Sequence, residues 1–137
     1  MATLHDVRRI ATALPEVTEK AAWGNQMWRV KDRGFVWERP LGKKDVADLE
    51  ALGEPVPEGE LIGVRVADEA DKQALLASEP DIFLTIPHFD GYTAVLVRLD
   101  AIGAAELEEL IVEAWLLKAP KRLATAFLDA RPDDAVD

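Results

Sequence analysis

The sequence predicts an α+β fold: a single domain with a twisted, mainly antiparallel sheet, an N-terminal helix and C-terminal helices. Two observations predict this class. Segments with alternating apolar residues are joined by hairpin-length loops as well as by helical segments. The length of 137 residues also fits one domain with one core. We therefore place the domain over residues 1–128 and expect the acidic tail, 129–137, to fray.

A capped helix is predicted at the start of the chain. Thr3 is a residue type that favours the N-cap position, and apolar residues then recur at three- and four-residue steps until Pro15. Proline ends such a helix because it interrupts the backbone hydrogen bonds. Residues 16–20 show no such period, so we expect an extended connection there.

A β-hairpin is predicted next. The Gly24-Asn25 pair is a turn signal that leads into a strand over 27–31. Gly34 suits the left-handed position of a short hairpin loop, and the aromatic and β-branched residues 35–37 favour a returning strand. Pro40 ends that strand.

The rest of the chain alternates helical and strand patterns. Residues 43–52 are compatible with a helix, 61–66 alternate as a half-buried strand, and 69–78 predict a helix capped by Asp68. In this helix the residues expected to face the core are Ala70, Ala74, Leu75 and Leu76. Two strands follow over 82–86 and 92–99, joined by 87–91. The C-terminal helices begin near Gly103 and Pro120, with apolar faces of Leu107, Leu110, Ile111, Ala114 and Leu117, then Leu123, Ala124, Phe127 and Leu128.

The composition excludes several functional classes. Hydrophobic residues make up 49% and charged residues 31%, which is typical of soluble globular domains. Cysteine is absent and histidine occurs twice, so we expect no disulfide, no metal site and no cofactor. No apolar run is long enough to span a bilayer and no leader pattern is present, so we expect a cytoplasmic protein without a membrane partner.

Positive charge is concentrated in the predicted hairpin, although the chain as a whole has a net charge of −10. Segregated charge of this kind is typical of an electrostatic binding surface. We therefore predict weak nucleic-acid binding, with DNA as the expected partner. The candidate contact residues are Arg29, Lys31, Arg33, Arg39, Lys43 and Lys44. The alternative is that these side chains form the solvated outer face of a strand pair.

A second cationic group lies near the C-terminus. Lys118, Lys121 and Arg122 cluster where one predicted helix ends and another begins. They are secondary candidates for the same nucleic-acid surface. The interpretation we favour is that they complement the dipole at the C-terminal end of the first of these helices.

The aromatic residues support a different hypothesis. The chain contains four tryptophans and four phenylalanines, residue types that line small-molecule pockets but also fill cores. We therefore keep a small-molecule or protein-binding adaptor module as the alternative function. Its candidate pocket residues are Trp23, Trp37, His88 and Tyr92.

We predict no catalytic residues. His88 and Asp90 stand two residues apart before Tyr92, a spacing that could suit acid–base chemistry. Between Pro87 and Gly91 a structural role in a turn is the expected one. No phosphate-binding loop or nucleophile motif is present, so the protein is not expected to be an enzyme, and we expect a monomer or a weak dimer.

Several short motifs together resemble the MmcQ/YjbR-like family from Val7 to about Leu128. The motifs of the front half are Trp23-Gly24-Asn25, Trp28-Arg29-Val30 and the run from Phe35 to Leu41. Those of the back half are the runs 87–92, 95–99 and 107–115, and then Ala119-Pro120-Lys121. The resemblance implies an α+β fold with the arrangement called double-wing, which is similar to a phage transcription-factor domain, and a DNA-binding role.

Overall fold

One six-stranded sheet organises the molecule. This computed structural model describes residues 1–22 and 24–130. The strands lie in the order β1-β2-β3-β4-β6-β5, and every neighbouring pair is antiparallel. Their bounds are β1 Val17–Ala22, β2 Asn25–Val30, β3 Arg33–Glu38, β4 Leu61–Arg65, β5 Phe83–Leu84 and β6 Ala94–Arg98.

Within the residues that the structure describes, five helices accompany the sheet, which confirms the predicted α+β class. Their bounds are α1 Leu4–Thr12, α2 Lys43–Ala51, α3 Glu69–Ser78, α4 Ala104–Lys118 and α5 Lys121–Ala130, with a single 3-10 turn at Pro87–Phe89. None of these helices is both long enough and apolar enough to cross a membrane.

The first helix begins as its sequence predicts. Thr3 and Asp6 form a reciprocal cap: the Asp6 N–H donates to Thr3 Oγ1 over 3.2 Å, and the Thr3 N–H donates to Asp6 Oδ2 over 3.0 Å. Val7 and Ile10 face the core. The helix ends at Thr12, shortly before Pro15.

The segment predicted as an extended connection is in fact an edge strand. β1 pairs with β2 along its whole length, from Val17 opposite Val30 to Ala22 opposite Asn25. Its central residues, Thr18 to Lys20, are polar and exposed. An edge strand of this kind carries little apolar alternation, so the sequence offered no periodic signal for it.

The β2–β3 turn differs from the prediction. Lys31 and Asp32 are the two central residues, and they have φ values of 50° and 66°. A two-residue hairpin loop with positive φ at both central positions matches the right-handed twist of the strands. Gly34 instead lies within β3, where a Cβ atom would be only 2.7 Å from the Met27 sulphur. The prediction that Gly34 lies in the turn was therefore wrong. Close packing against Met27 explains why this position is a glycine.

The main core lies between one face of the sheet and helices α1 and α4. Trp115, at the centre of this core, is fully buried, and its indole N–H donates to the Pro15 carbonyl over 3.2 Å. Trp28, Phe35 and Phe83 are also buried here, so these aromatic side chains pack in the core. Trp28 additionally donates to Glu19 Oε1 over 2.9 Å.

A smaller core covers the other face of the sheet. Its buried members are Trp37, Leu49, Leu61, Ile86, Phe89, Ala94 and Leu96. They come from the sheet, from α2 and from the segment that contains the 3-10 turn. Because both faces of the sheet are covered, β4 and β6 carry apolar residues on both sides. Their sequences therefore lack the apolar–polar alternation of a strand that is buried on one side only.

Helix α3 presents a different face from the predicted one. Ala70 and Ala74 are exposed, while Leu75 and Leu76 are half-buried. Lys72 is the buried residue of this helix, with 2% of its surface exposed. The apolar pattern therefore predicted the extent of the helix correctly but not its orientation.

The C-terminal helices also differ in detail. Leu117 and Leu128 were expected to face the core, but both are exposed. Helix α5 continues to Ala130, two residues beyond the predicted end of the domain at 128. The expected fraying of the tail from 131 to 137 lies outside the described residues.

Two carboxyl groups meet between α3 and α4, and they predict a pH effect. A hydrogen bond with Glu79, then burial, raises the pKa of Glu106 from 4.5 to about 6. The folded protein therefore binds more protons than the unfolded chain between those pH values, so the free energy of unfolding falls as pH rises through them. Glu106→Gln should flatten this slope and raise stability at pH 7 by roughly 1 kcal/mol. Urea unfolding at pH 4.5 and pH 7 measures both; an unchanged pH slope would contradict it.

Candidate functional site

Lys31, at the tip of the β2–β3 hairpin, already has an acidic partner. Its ammonium group forms an ion pair with the Glu16 carboxylate. The hydrogen bond from Lys31 and then its charge hold the pKa of Glu16 below its usual value. The pair is exposed, so it contributes little to stability, but it reduces the positive potential at the hairpin tip.

Arg39, where β3 ends, is held by a buried carboxylate, that of Asp45. Its guanidinium donates to Asp45 through Nη1 over 2.9 Å and through Nη2 over 3.3 Å, and Nη1 also donates to the Pro40 carbonyl over 2.8 Å. Burial alone would raise the pKa of Asp45. The hydrogen bonds from Arg39 and the Gly42 N–H outweigh burial and hold that pKa below its usual value. Arg39 thus fixes the start of α2 to the sheet.

The two lysines of α2 lie on the surface. Lys44 is 86% exposed and contacts Asp48 one turn later over 3.4 Å. Lys43 is exposed as well. Arg39, Lys43 and Lys44 therefore group around the start of α2, while Arg33 begins β3. Arg33 and Arg39 are six residue steps apart along β3 and its end, which is roughly 20 Å.

The arginines near the β2–β3 turn are less neutralised by acidic side chains than Lys31 and Arg39 are. Arg29 and Arg33 form no ion pair within residues 1–22 and 24–130. Burial, then the charges of Arg65 and Arg33, lower the pKa of Lys118, so both arginines act on Lys118 electrostatically. Of the three secondary candidates, Lys118 is therefore the one whose pKa the charge of Arg33 affects. Lys121 and Arg122 are exposed at the start of α5, where Arg122 lies near Glu16.

A cleft of about 570 Å³ opens between the sheet and the segment that follows β5. We call it the aromatic cleft. The residues that define it are Met27, Trp37, Arg39, His88, Phe89 and Tyr92. Three of the four predicted pocket residues line this cleft. The fourth, Trp23, lies outside the described residues.

The aromatic rings of the cleft pack against one another. Phe89 is buried and meets Tyr92 edge to face, with ring centroids 5.6 Å apart, and Trp37 at 6.5 Å. His88 lies 6.1 Å from Phe89, and the Arg39 guanidinium lies 5.7 Å from the centroid of the same ring. His88 is exposed and Tyr92 is 39% exposed, so these two rings present apolar surface to a ligand.

The buried ammonium of Lys72 fixes the outer wall of the cleft. It donates to the carbonyl oxygens of Phe89 over 2.7 Å and of Tyr92 over 2.8 Å. These two bonds hold both ends of the segment 89–92, which directly follows His88. Sequence reasoning missed Lys72 because a lysine in a helix ordinarily points to solvent. The partners are 17 and 20 residues away, and no local pattern signals such contacts.

Arg65 links the cleft to the end of the sheet. Its guanidinium lies 4.4 Å from the centroid of Tyr92 and 5.2 Å from that of Trp37, and Nη2 donates to the Tyr92 hydroxyl over 2.6 Å. Trp37 in turn lies directly over Gly63, where a Cβ would come within 2.5 Å of the ring. Arg65 was not among the sequence candidates, since it stands alone among apolar residues.

The described part of the chain shows no metal centre. Within it, no three His, Cys, Asp or Glu side chains lie together in a way that could hold a metal ion.

These features define a small α+β protein built on one six-stranded antiparallel sheet. A family model described as YjbR matches residues 12–117. The chain therefore belongs to the YjbR family, which confirms the resemblance noted in its motifs.

Known relatives agree with this assignment. The chain is 52% identical over 128 residues to an uncharacterized protein of Mycobacterium tuberculosis and to one of Mycobacterium bovis, covering 93% of this chain and 97% of each relative. The crystal structure of the Deinococcus radiodurans protein DR2400, with a DUF419 domain, superposes with a TM-score of 0.65. It covers 89% of this chain and 82% of that one at 21% identity, which shows a shared fold.

Proposed function

We propose that this protein is a non-catalytic binding protein whose aromatic cleft holds a small planar molecule. The observation that carries this proposal is the bracing of the cleft wall by Lys72, which costs a buried ammonium group. The two hydrogen bonds stabilise the connection between β5 and β6 itself. A ligand site gains in addition, because a wall fixed in advance reduces the entropy lost on binding. The volume is also within the usual range for small-molecule sites.

The charges around the cleft favour a ligand with hydrogen-bond donors. Glu38 and Asp90 contribute carboxylates to its lining. The cation of the lining, Arg39, is already neutralised by Asp45. An anionic ligand would therefore meet repulsion, whereas a neutral or cationic heteroaromatic amine would find acceptors beside the rings of His88 and Tyr92.

The side chains of the cleft support binding without chemistry. Its described lining contains no serine, threonine, cysteine or lysine, the usual nucleophiles of covalent catalysis. The Glu38 carboxylate accepts the Gln26 N–H over 2.6 Å and thereby supports the hairpin. We extend the proposal to a cytoplasmic location, on the absence of cysteine from the sequence.

Tyr92 variants test the proposal. Tyr92→Ala removes an exposed ring of the cleft, and we expect the affinity for the best heteroaromatic amine of a fragment panel to fall about tenfold. Tyr92→Phe keeps the ring, loses only the hydroxyl bonded to Arg65, and should bind within about threefold of the parent. Titration calorimetry measures all three proteins. Equal affinities for Tyr92→Ala and the parent, or no binder in the panel, would refute the proposal.

Nucleic-acid binding is the second candidate function. One observation favours it: Arg29, Arg33 and Lys43 form no ion pair with the described residues. Against it, Lys31, Arg39 and Lys44 each have an acidic partner, and the net charge of −10 repels polyanions at long range. The contact would therefore be local and weak, and it would depend strongly on salt.

A further inference from the structure

We propose that a second cavity, beside the smaller core, binds a free α-amino acid with an apolar side chain. The cavity has a volume of about 300 Å³ and is lined by the end of α2, by the segment that begins in β5 and by Arg98 at the end of β6. We call it the Arg98 pocket. Among the described residues it shares only Asp90 with the aromatic cleft, and it does not depend on a ligand there.

Arg98 is the cation of this pocket. Val97 and Leu99, its neighbours in sequence, belong to the main core, so the Arg98 side chain extends from the opposite face of the sheet, beside the smaller core. Its backbone is fixed on both sides, because Arg98 pairs with Leu61 of β4 and its N–H donates to the Ile82 carbonyl over 2.9 Å. The half-buried guanidinium forms no ion pair within the described residues. It is therefore available to the carboxylate of a ligand.

Two acidic residues, Glu54 and Asp90, line the same pocket. The turn that ends α2 fixes the position of Glu54, whose N–H donates to the Leu49 carbonyl over 2.9 Å. Asp90 lies between the two backbone carbonyl groups that the Lys72 ammonium holds. Neither carboxylate forms an ion pair with another described residue. Both are therefore available to the ammonium group of a ligand, at positions that the backbone sets in advance.

The rest of the lining is largely apolar. Its apolar members are Leu49, Leu52, Pro55, Leu84, Ile86 and Pro87. Leu52 is 65% exposed, so an apolar ligand group placed here would cover a side chain that now contacts water. Thr85 also lines the pocket, and its hydroxyl is buried without a hydrogen-bond partner among the described residues. Rotation to another staggered position would offer this hydroxyl to a ligand and satisfy a group that is costly to leave unpaired.

The charges of the pocket select a zwitterion. A simple carboxylate would match Arg98 but would meet repulsion from Glu54 and Asp90, and a simple amine would leave Arg98 without a counterion. A free α-amino acid carries both charges together with an apolar group. The terminus of a peptide carries only one of the two charges, so it matches the pocket less well. The volume lies at the lower end of the range for small-molecule sites, which suits a ligand of this size.

Titration calorimetry of the full chain with leucine tests the proposal, and two analogues test each charge of the ligand. Isocaproate is leucine without its ammonium group, and isoamylamine is leucine without its carboxylate. We expect saturable binding of leucine and at least about tenfold weaker binding of either analogue. Methyl and indole N–H spectra should show shifts at Leu49, Leu52 and Ile86 but not at Trp37 in the aromatic cleft. Shifts at Trp37 in place of these methyl groups would assign leucine to the cleft and overturn the proposal.

A matched pair of variants locates the site. Arg98→Gln removes the cation of the pocket and should weaken leucine binding about tenfold or more. Arg29→Gln makes the same change at an arginine that is also half-buried in the sheet and forms no ion pair with the described residues, but lies outside the pocket. It should change binding less than about twofold. Glu54→Gln, on the exposed turn after α2, should keep the fold and weaken binding about threefold or more. No saturable binding of leucine, equal weakening by the two arginine variants, or isocaproate binding as tight as that of leucine would overturn the proposal.

Discussion

Replacing Lys72 with methionine should lower the free energy of unfolding by about 2–4 kcal/mol. Methionine keeps the apolar stem, but the carbonyl oxygens of Phe89 and Tyr92 lose their donor in a place that water does not readily reach. Each unsatisfied carbonyl costs about 1–3 kcal/mol, and the relief of a buried charge offsets part of that. The effect should centre on residues 87–92, because the lost bonds end there.

Urea unfolding and amide hydrogen exchange measure this prediction together. The amides of Phe89 and Tyr92 should exchange faster in Lys72→Met, and the best cleft ligand should bind more weakly. Lys121→Met, which changes an exposed lysine in α5, is the matched control and should lie within about 0.5 kcal/mol of the parent. If Lys72→Met were as stable as this control, Lys72 would not brace the wall.

Gly63→Ala should destabilise the protein by about 1–3 kcal/mol through overpacking. A Cβ at Gly63 would lie 2.5 Å from the Trp37 ring, which is mostly buried and has Phe89 and Arg65 as neighbours. The ring has to move towards the cleft, since the sheet backbone lies beneath it. Ligand affinity should therefore fall along with stability.

Thermal unfolding and ligand titration of Gly63→Ala measure the two effects. Gly103→Ser is the control, because a Cβ there meets no atom within 4 Å and serine suits the N-cap of α4. It should leave stability unchanged or raise it slightly. A Gly63→Ala protein with the melting temperature and ligand affinity of the parent would contradict the close packing of Trp37 over Gly63.

Local signals in the sequence predicted much of the fold. The Thr3 cap, the span of α3 after Asp68, and the order of helices and strands all follow from residue type and spacing. The edge strand β1 could not be predicted in this way, because Val17–Ala22 is polar at its centre and its pairing with β2 supplies the order. The orientation of α3 depends on Lys72 and its distant carbonyl partners, which no periodicity encodes.

The candidate sites were predicted in part, for similar reasons. Trp37, His88 and Tyr92 line one cleft, as proposed from their residue types. The ion pair between Lys31 and Glu16 was not foreseen, because it joins groups 15 positions apart across two strands. Arg65 was missed because its contacts with Tyr92 depend on the β4–β6 pairing. Charge counted along a sequence therefore overstated the free charge of the hairpin.

The most direct test of the central claim is a chemical-shift map of the full chain with the best heteroaromatic amine of the panel. We expect saturable shifts at the Trp37 indole N–H, at the His88 ring and at the amides of residues 89–92. Little change should occur at Arg33 and Lys43. Shifts confined to the cationic residues, or saturable binding that leaves Trp37 and Tyr92 unperturbed, would contradict the aromatic cleft as the functional site.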